Sequence, residues 1–302
     1  MASDLLFRGT APALVTPFTE DDDLDEAALR HLIDFQIDGG VEALVLLGTT
    51  GENPTVSEPE RRRIVEIAVE QTNRRVPVIV GTGTNNTAQS MAYSADAAEA
   101  GADALLIVGP YYNKPTAQGL VNHVKAIAGV TDTPILLYNV PGRTGSNITA
   151  ETTLRIAEEV PQVFGVKEAS GDLTQITDLL ANRPEGFGVY SGDDDLTLPM
   201  LALGADGLVS VAANAVPGAV SELVRLGLRG DFEAARERHF QLLNAMRASF
   251  FESNPGPIKA VLAEMGLLTE HVRPPLAVCT EGTRARVMQA YRPFIEVSTF
   301  EE

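Results

Sequence analysis

Cysteine is almost absent from this sequence of 302 residues, where Cys279 stands alone. A lone cysteine cannot close an internal disulfide, which fits a reducing compartment. Basic residues are scarce too. Lysine and arginine total 23 against 41 aspartates and glutamates, for a formal net charge of -18. Nucleic-acid binding needs a basic surface that displaces counterions, so no polyanionic partner is expected. Solubility is the plain reading of the acidity. No apolar run approaches the roughly 20 residues that a membrane helix needs. The opening MASDLLFRGTAPALVTPF has no basic segment ahead of an apolar one. No signal peptide is therefore expected, and a cytoplasmic protein is the default. The four histidines, His31, His123, His239 and His271, lack metal-ligand spacing. There is no Walker loop, and Gly81-Thr82-Gly83 lacks the third glycine of a dinucleotide fingerprint. Neither a metal nor a cofactor is expected.

What the chain does have is a repeated unit of short apolar run, turn and amphipathic helix. Eight runs read as strands: Ala13–Thr16, Ala43–Leu47, Val78–Gly81, Ala104–Val108, Ile135–Asn139, Val163–Lys167, Val189–Ser191 and Gly207–Val211. They are apolar without alternation, as strands covered on both faces are. Between the first two, Leu29, Leu32, Ile33 and Ile37 share one helical face. Asp23 with Glu26 resembles a capping box there, and Gly39-Gly40 ends the helix. Ser57-Glu58-Pro59-Glu60 carries a similar helix start. Strand–helix alternation means parallel strands with right-handed crossovers. Eight such units predict an α/β fold, a (β/α)8 TIM barrel with additional C-terminal helices, with an open doubly wound sheet as the alternative. The barrel is expected over residues 1–228. A helical extension packed on it is expected over 229–302, with helices at Asp231–Phe250, Pro257–Met265 and Thr283–Tyr291.

In a barrel the C-terminal ends of all strands meet at one mouth, where active sites sit. Lys167 ends an apolar strand, unlike the other lysines, Lys114, Lys125 and Lys259. An apolar interior disfavours the ammonium, and a neutral amine can attack a carbonyl carbon. The plain alternatives are a lysine that reaches solvent or one paired with Glu168. Tyr138 ends the preceding strand and could move protons, or could simply pack the barrel. Thr49 and Thr50 sit in a glycine-bounded turn able to present N–H groups and hydroxyls to a carboxylate. Arg143, in Pro-Gly-Arg-Thr-Gly, could clamp a carboxylate bidentately or be an exposed loop arginine. Tyr112 belongs to a tyrosine pair of the kind often found at interfaces. Asp193-Asp194-Asp195 after the seventh strand would repel a phosphate, so unphosphorylated substrates are expected.

The motifs Gly48-Thr49-Thr50-Gly51-Glu52, Tyr138-Asn139-Val140-Pro141-Gly142-Arg143-Thr144-Gly145 and Val166-Lys167-Glu168-Ala169-Ser170-Gly171-Asp172 stand out together. With Ser191-Gly192-Asp193-Asp194 and Asn254-Pro255, the chain resembles the dihydrodipicolinate synthase / N-acetylneuraminate lyase family of class I aldolases, from about Gly9 to about Pro275. The resemblance implies condensation of pyruvate with L-aspartate 4-semialdehyde, on the route to diaminopimelate and lysine, through a Schiff base to Lys167 and without a cofactor. It implies a proton relay of Tyr138, Thr49 and Tyr112, with Tyr112 lent by a neighbouring subunit of a homotetramer, a dimer of dimers. Thr50 would hold the pyruvate carboxylate and Arg143 that of the aldehyde, while Gly192 and Val209 would line the pyruvate end. Arg143 speaks against the sialic-acid lyases, which resemble the chain around the lysine. Another pyruvate-dependent aldolase, such as a 2-keto-3-deoxy sugar-acid aldolase, stays open, as does a non-catalytic keto-acid-binding protein. Lysine-inhibited relatives use histidine and glutamate in an interface pocket. The matching positions here hold Asn53, Pro54, Glu58, Arg61 and Gln89, alongside Asn85 and Tyr111, so weak or absent feedback by lysine is expected.

Overall fold

A computed structural model describes residues 5–295. The strands are β1 (Gly9–Pro12), β2 (Leu44–Leu46), β3 (Val78–Gly81), β4 (Ala104–Val108), β5 (Ile135–Asn139), β6 (Val163–Glu168), β7 (Gly188–Ser191) and β8 (Gly207–Ser210). They form one sheet of parallel neighbours in the order β1-β8-β7-β6-β5-β4-β3-β2. The seam between β1 and β2 closes through the parallel bridge Ala13↔Val45, with Leu14 N–H donating to Val45 O at 2.8 Å. The architecture is the expected (β/α)8 barrel.

Helices α1 (Glu26–Asp38), α2 (Glu58–Thr72), α3 (Thr87–Glu99) and α4 (Ala117–Ala128) follow the first four strands. After β5 come a single turn, α5 (Pro141–Thr144), and α6 (Ala150–Glu159). Then α7 (Leu173–Asn182), α8 (Thr197–Ala202) and α9 (Pro217–Leu228) complete the ring. Beyond it lie α10 (Phe232–Ala248), α11 (Gly256–Glu264) and α12 (Glu281–Tyr291). Residues 296–302 of the expected extension lie outside the described range. No helix among the described residues is long and apolar enough to cross a membrane.

Two apolar layers hold the molecule. The inner one fills the barrel with Ala11, Ala43, Val45, Ile79, Ala104, Leu106, Leu136, Tyr138, Tyr190 and Val209. Its floor is Phe7, stacked on Tyr190 at 4.3 Å between ring centroids, while the Tyr190 hydroxyl donates to Phe7 O at 2.7 Å. The outer layer lies between sheet and helices and includes Leu32, Ile33, Leu44, Ile64, Ile127 and Val166. Alternate strand residues feed the two layers, because successive side chains leave opposite faces.

Two expectations need correction. The first strand is Gly9–Pro12, not Ala13–Thr16. Its ladder partner is Gly207–Ser210; just beyond it Ala13 makes a single bridge, to Val45, and the Thr16 hydroxyl donates to Gly51 O at 2.7 Å. The α1 cap is Asp25, whose carboxylate accepts from Ala28 N–H at 2.9 Å, rather than Asp23. Leu24 bridges back to Phe18, which keeps residue 23 in a tight loop. At α2 the reading holds: Glu60 accepts from the Ser57 N–H at 2.9 Å and its hydroxyl at 2.7 Å.

Candidate active site

Lys167 and Tyr138 occupy the same level of the barrel, as register partners on β6 and β5. Both are 5% exposed. The Lys167 amine lies 4.2 Å from the centroid of the Tyr138 ring. The other lysines are placed differently. Lys125 meets Glu159 at the surface, Lys114 is exposed, and Lys259 is buried against Glu52. Glu168, next along the strand, leaves the opposite face and does not pair with Lys167. Its carboxylate accepts from Asn139 Nδ2 at 3.1 Å and from Ser170 N–H at 2.7 Å. Burial raises its pKa above the usual carboxylate range.

A cavity of about 310 Å³ opens at the C-terminal ends of the strands, lined by Thr49, Glu52, Tyr138, Arg143 and Asn254 among others. The turn after β2 delivers Thr49. Its neighbour Thr50 is 2% exposed and its hydroxyl oxygen accepts from Asn254 Nδ2 at 2.8 Å. That bond leaves the Thr50 O–H as a donor. Arg143 rides on α5, whose Gly145 C-cap takes a positive φ of 68°. Gly192 abuts the lysine stem: a Cβ there would come within 3.0 Å of Lys167 Cε. Val209 is fully buried in the barrel interior.

Tyr112 does not join this group. It is 90% exposed, at a φ of 70° that side chains rarely adopt, and it is absent from the cavity lining. Its neighbour Tyr111 lines the cavity instead.

The acids after β7 shape the local field. Asp194 is buried and accepts from Val211 N–H at 3.0 Å and from Ala212 N–H at 3.2 Å, tying β7 to β8. Burial pushes the Asp193 carboxyl up to about 6, with Lys167 pulling the other way and Asp194 and Asp195 adding to the rise.

Motif spacing found the strand ends and missed the roof. Pro275 and Leu276 line the cavity, and Lys259 and Arg273 grip Glu52 from behind. These residues lie in helices and loops with no strand end to flag them. Asn254-Pro255 was the one signal in that region.

The chain matches the Dihydrodipicolinate synthetase family over residues 6–292. It is 62% identical over 300 residues to the 4-hydroxy-tetrahydrodipicolinate synthase of Salinibacter ruber, covering 99% of each chain. It is 50% identical over 281 residues to that of Koribacter versatilis, covering 93% of each. The crystal structure of dihydrodipicolinate synthase from Thermotoga maritima superposes with a TM-score of 0.94 at 42% identity, over 95% of this chain and 98% of that one. The chain belongs to the dihydrodipicolinate synthetase family.

Proposed function

We propose that this enzyme condenses pyruvate with L-aspartate 4-semialdehyde to 4-hydroxy-tetrahydrodipicolinate, in diaminopimelate and lysine biosynthesis, through a Schiff base on Lys167. The observation that carries the residue assignment is the Lys167 amine beside the ring of Tyr138, a residue that lines the cavity together with Thr49 and Arg143.

The Lys167 amine adds to C2 of pyruvate, and the carbinolamine loses water. The resulting iminium is the electron sink, so the reaction needs no cofactor. A methyl proton leaves to give the enamine, whose carbon attacks the aldehyde. The amine of the condensed product then displaces Lys167 and closes the ring. Tyr138 moves these protons through Thr49 and through Tyr112 of a neighbouring subunit. The free Thr50 O–H holds the pyruvate carboxylate, with Gly192 and Val209 shaping that end of the pocket. The Arg143 guanidinium holds the carboxylate of the aldehyde. The barrel of residues 1–228 and the extension of 229–302 act as one unit in this reading, because Asn254, Pro275 and Leu276 line the cavity. The working form is a cytoplasmic homotetramer, a dimer of dimers.

The test is aspartate-semialdehyde consumption with pyruvate, coupled to NADPH oxidation by added dihydrodipicolinate reductase. Turnover that vanishes in Lys167→Ala is expected. No turnover in protein that borohydride still traps on pyruvate would move the substrate to a sugar-acid aldehyde.

Feedback by lysine is weak or absent in the same reading. Arg61 is buried and donates to Asn53 Oδ1 at 3.0 Å and to Gly81 O at 2.5 Å, with its guanidinium 4.1 Å from the centre of the Tyr93 ring. Gln89 Nε2 donates to the Tyr93 hydroxyl at 3.1 Å. A cation beside a neutral amide is a poor receptor for an ammonium. Titration with lysine should leave turnover unchanged up to the millimolar range, and half-inhibition below it would refute this.

A further inference from the structure

We infer that the buried pair Lys259–Glu52 is a positioning device that sets the Gly48–Glu52 turn, and with it Thr49 and Thr50, for pyruvate. The inference rests on the Schiff-base reading above.

Both side chains of the pair are 0% exposed, and Lys259 Nζ lies 2.5 Å from Glu52 Oε1. The amine also donates to His271 O at 2.7 Å and sits 4.6 Å from the centre of the Phe18 ring. Glu52 Oε2 accepts from Arg273 N–H at 2.9 Å, so both carboxylate oxygens are held by the C-terminal extension. Stability does not explain such a pair. Removing two charges from water costs several kcal/mol per ion, and apolar replacements of similar volume are often neutral or stabilising.

What the pair does explain is geometry. Glu52 adopts a left-handed conformation with φ 53°, which residues with side chains rarely adopt. In that conformation its N–H donates to Thr49 O at 3.1 Å. The preceding residue is fixed as well, with Gly51 O accepting from Thr16 Oγ1 at 2.7 Å. Thr50 is held by Asn254, two residues before α11, the helix that carries Lys259. The turn is thus held at Thr50 and Glu52 from α11 and the residues just before it, and Thr49, next to Thr50 and bonded through its carbonyl to Glu52 N–H, sits on the cavity wall. Arg143 stands apart on α5.

The test compares Lys259→Met with the double variant Glu52→Gln/Lys259→Met. Kinetics are read per active site, counted by borohydride trapping of pyruvate. Lys259→Met strands a buried carboxylate and should lower Tm. The double variant should recover most of that Tm, since no lone charge remains. Both should raise the KM for pyruvate about tenfold or more and lower kcat, because a displacement near 1 Å at a positioning group is enough for such losses. The KM for aspartate semialdehyde should stay within about twofold, since Arg143 is untouched. A double variant with wild-type pyruvate KM and kcat per site would overturn the inference. So would the failure of both variants to fold, which would make the pair structural. Wild-type protein that borohydride leaves unlabelled would instead overturn the Schiff-base reading itself.

Discussion

The Lys167 amine sits over the Tyr138 ring, 4.2 Å from its centroid, which puts the phenol beside whatever the nitrogen carries. That geometry suits a phenol that serves atoms bonded to the nitrogen. Tyr138→Phe should therefore lower kcat by roughly 10²–10⁴-fold, the range for positioned acid–base groups, with pyruvate still trapped by borohydride. Near-normal kcat would remove Tyr138 from the relay. Asp193 makes a separate prediction about pH. Burial raises its carboxyl from 3.8 to about 6. Below the unfolded value both states hold the proton, so the group is neutral to stability there. As pH rises through the folded value, the unfolded chain has already released a proton that the native state gives up only at cost. Stability therefore falls across that window and stays lower above it. Asp193→Asn should match wild type near pH ~4 and be more stable by about 1–3 kcal/mol near pH ~8, as read by urea unfolding. A gain of equal size at both pH values would refute the assignment.

At the level of elements, the barrel has a tight seam where β8 meets β1. A Cβ on Gly207 would fall 2.0 Å from Gly9 O, so no side chain fits between these strands. Gly207→Ala should cost on the order of 1–3 kcal/mol, measured as a lower Tm, because the seam must open to admit a methyl. An unchanged Tm would mean the seam gives freely. The neighbouring β1 is also where sequence reading slipped. The run Ala11–Val15 is apolar throughout, and without alternation nothing in it marks where pairing stops. By contrast β3, β4 and β5 were legible to the residue, because turn residues bound each apolar run. The helix starts divide similarly. Ser57 and Glu60 are local partners and could be read, whereas the choice of Asp25 over Asp23 depends on the Phe18↔Leu24 bridge. The placement of Thr49, Tyr138, Arg143 and Lys167 near one mouth was legible because a barrel gathers strand ends. The Lys259–Glu52 pair was not, since its members are 207 positions apart and one lies on a helix without a strand-end signal.

For the molecule as a whole, Tyr112 is the proposed relay residue that lies outside the cavity of its own chain. It stands 90% exposed, in a loop whose Tyr112 N–H leans on Thr144 O at 3.4 Å. If a neighbouring subunit takes it up, two defective chains can repair each other. Tyr112→Phe and Lys167→Ala proteins, each weak or inactive alone, should regain activity when dissociated together and reassembled, since a mixed dimer contains one complete site. No recovery in verified mixed dimers would leave Tyr112 outside the relay. The clamp on the Gly48–Glu52 turn also has a consequence in time. A ribosome delivers Glu52 first and Asn254 and Lys259 some two hundred residues later, given separations of 204 and 207. Lys167 and Tyr138 emerge in between, ahead of the residues that hold that turn. On the inference above, that turn takes its final geometry only when α11 docks, so a part of the chain made late sets one made early.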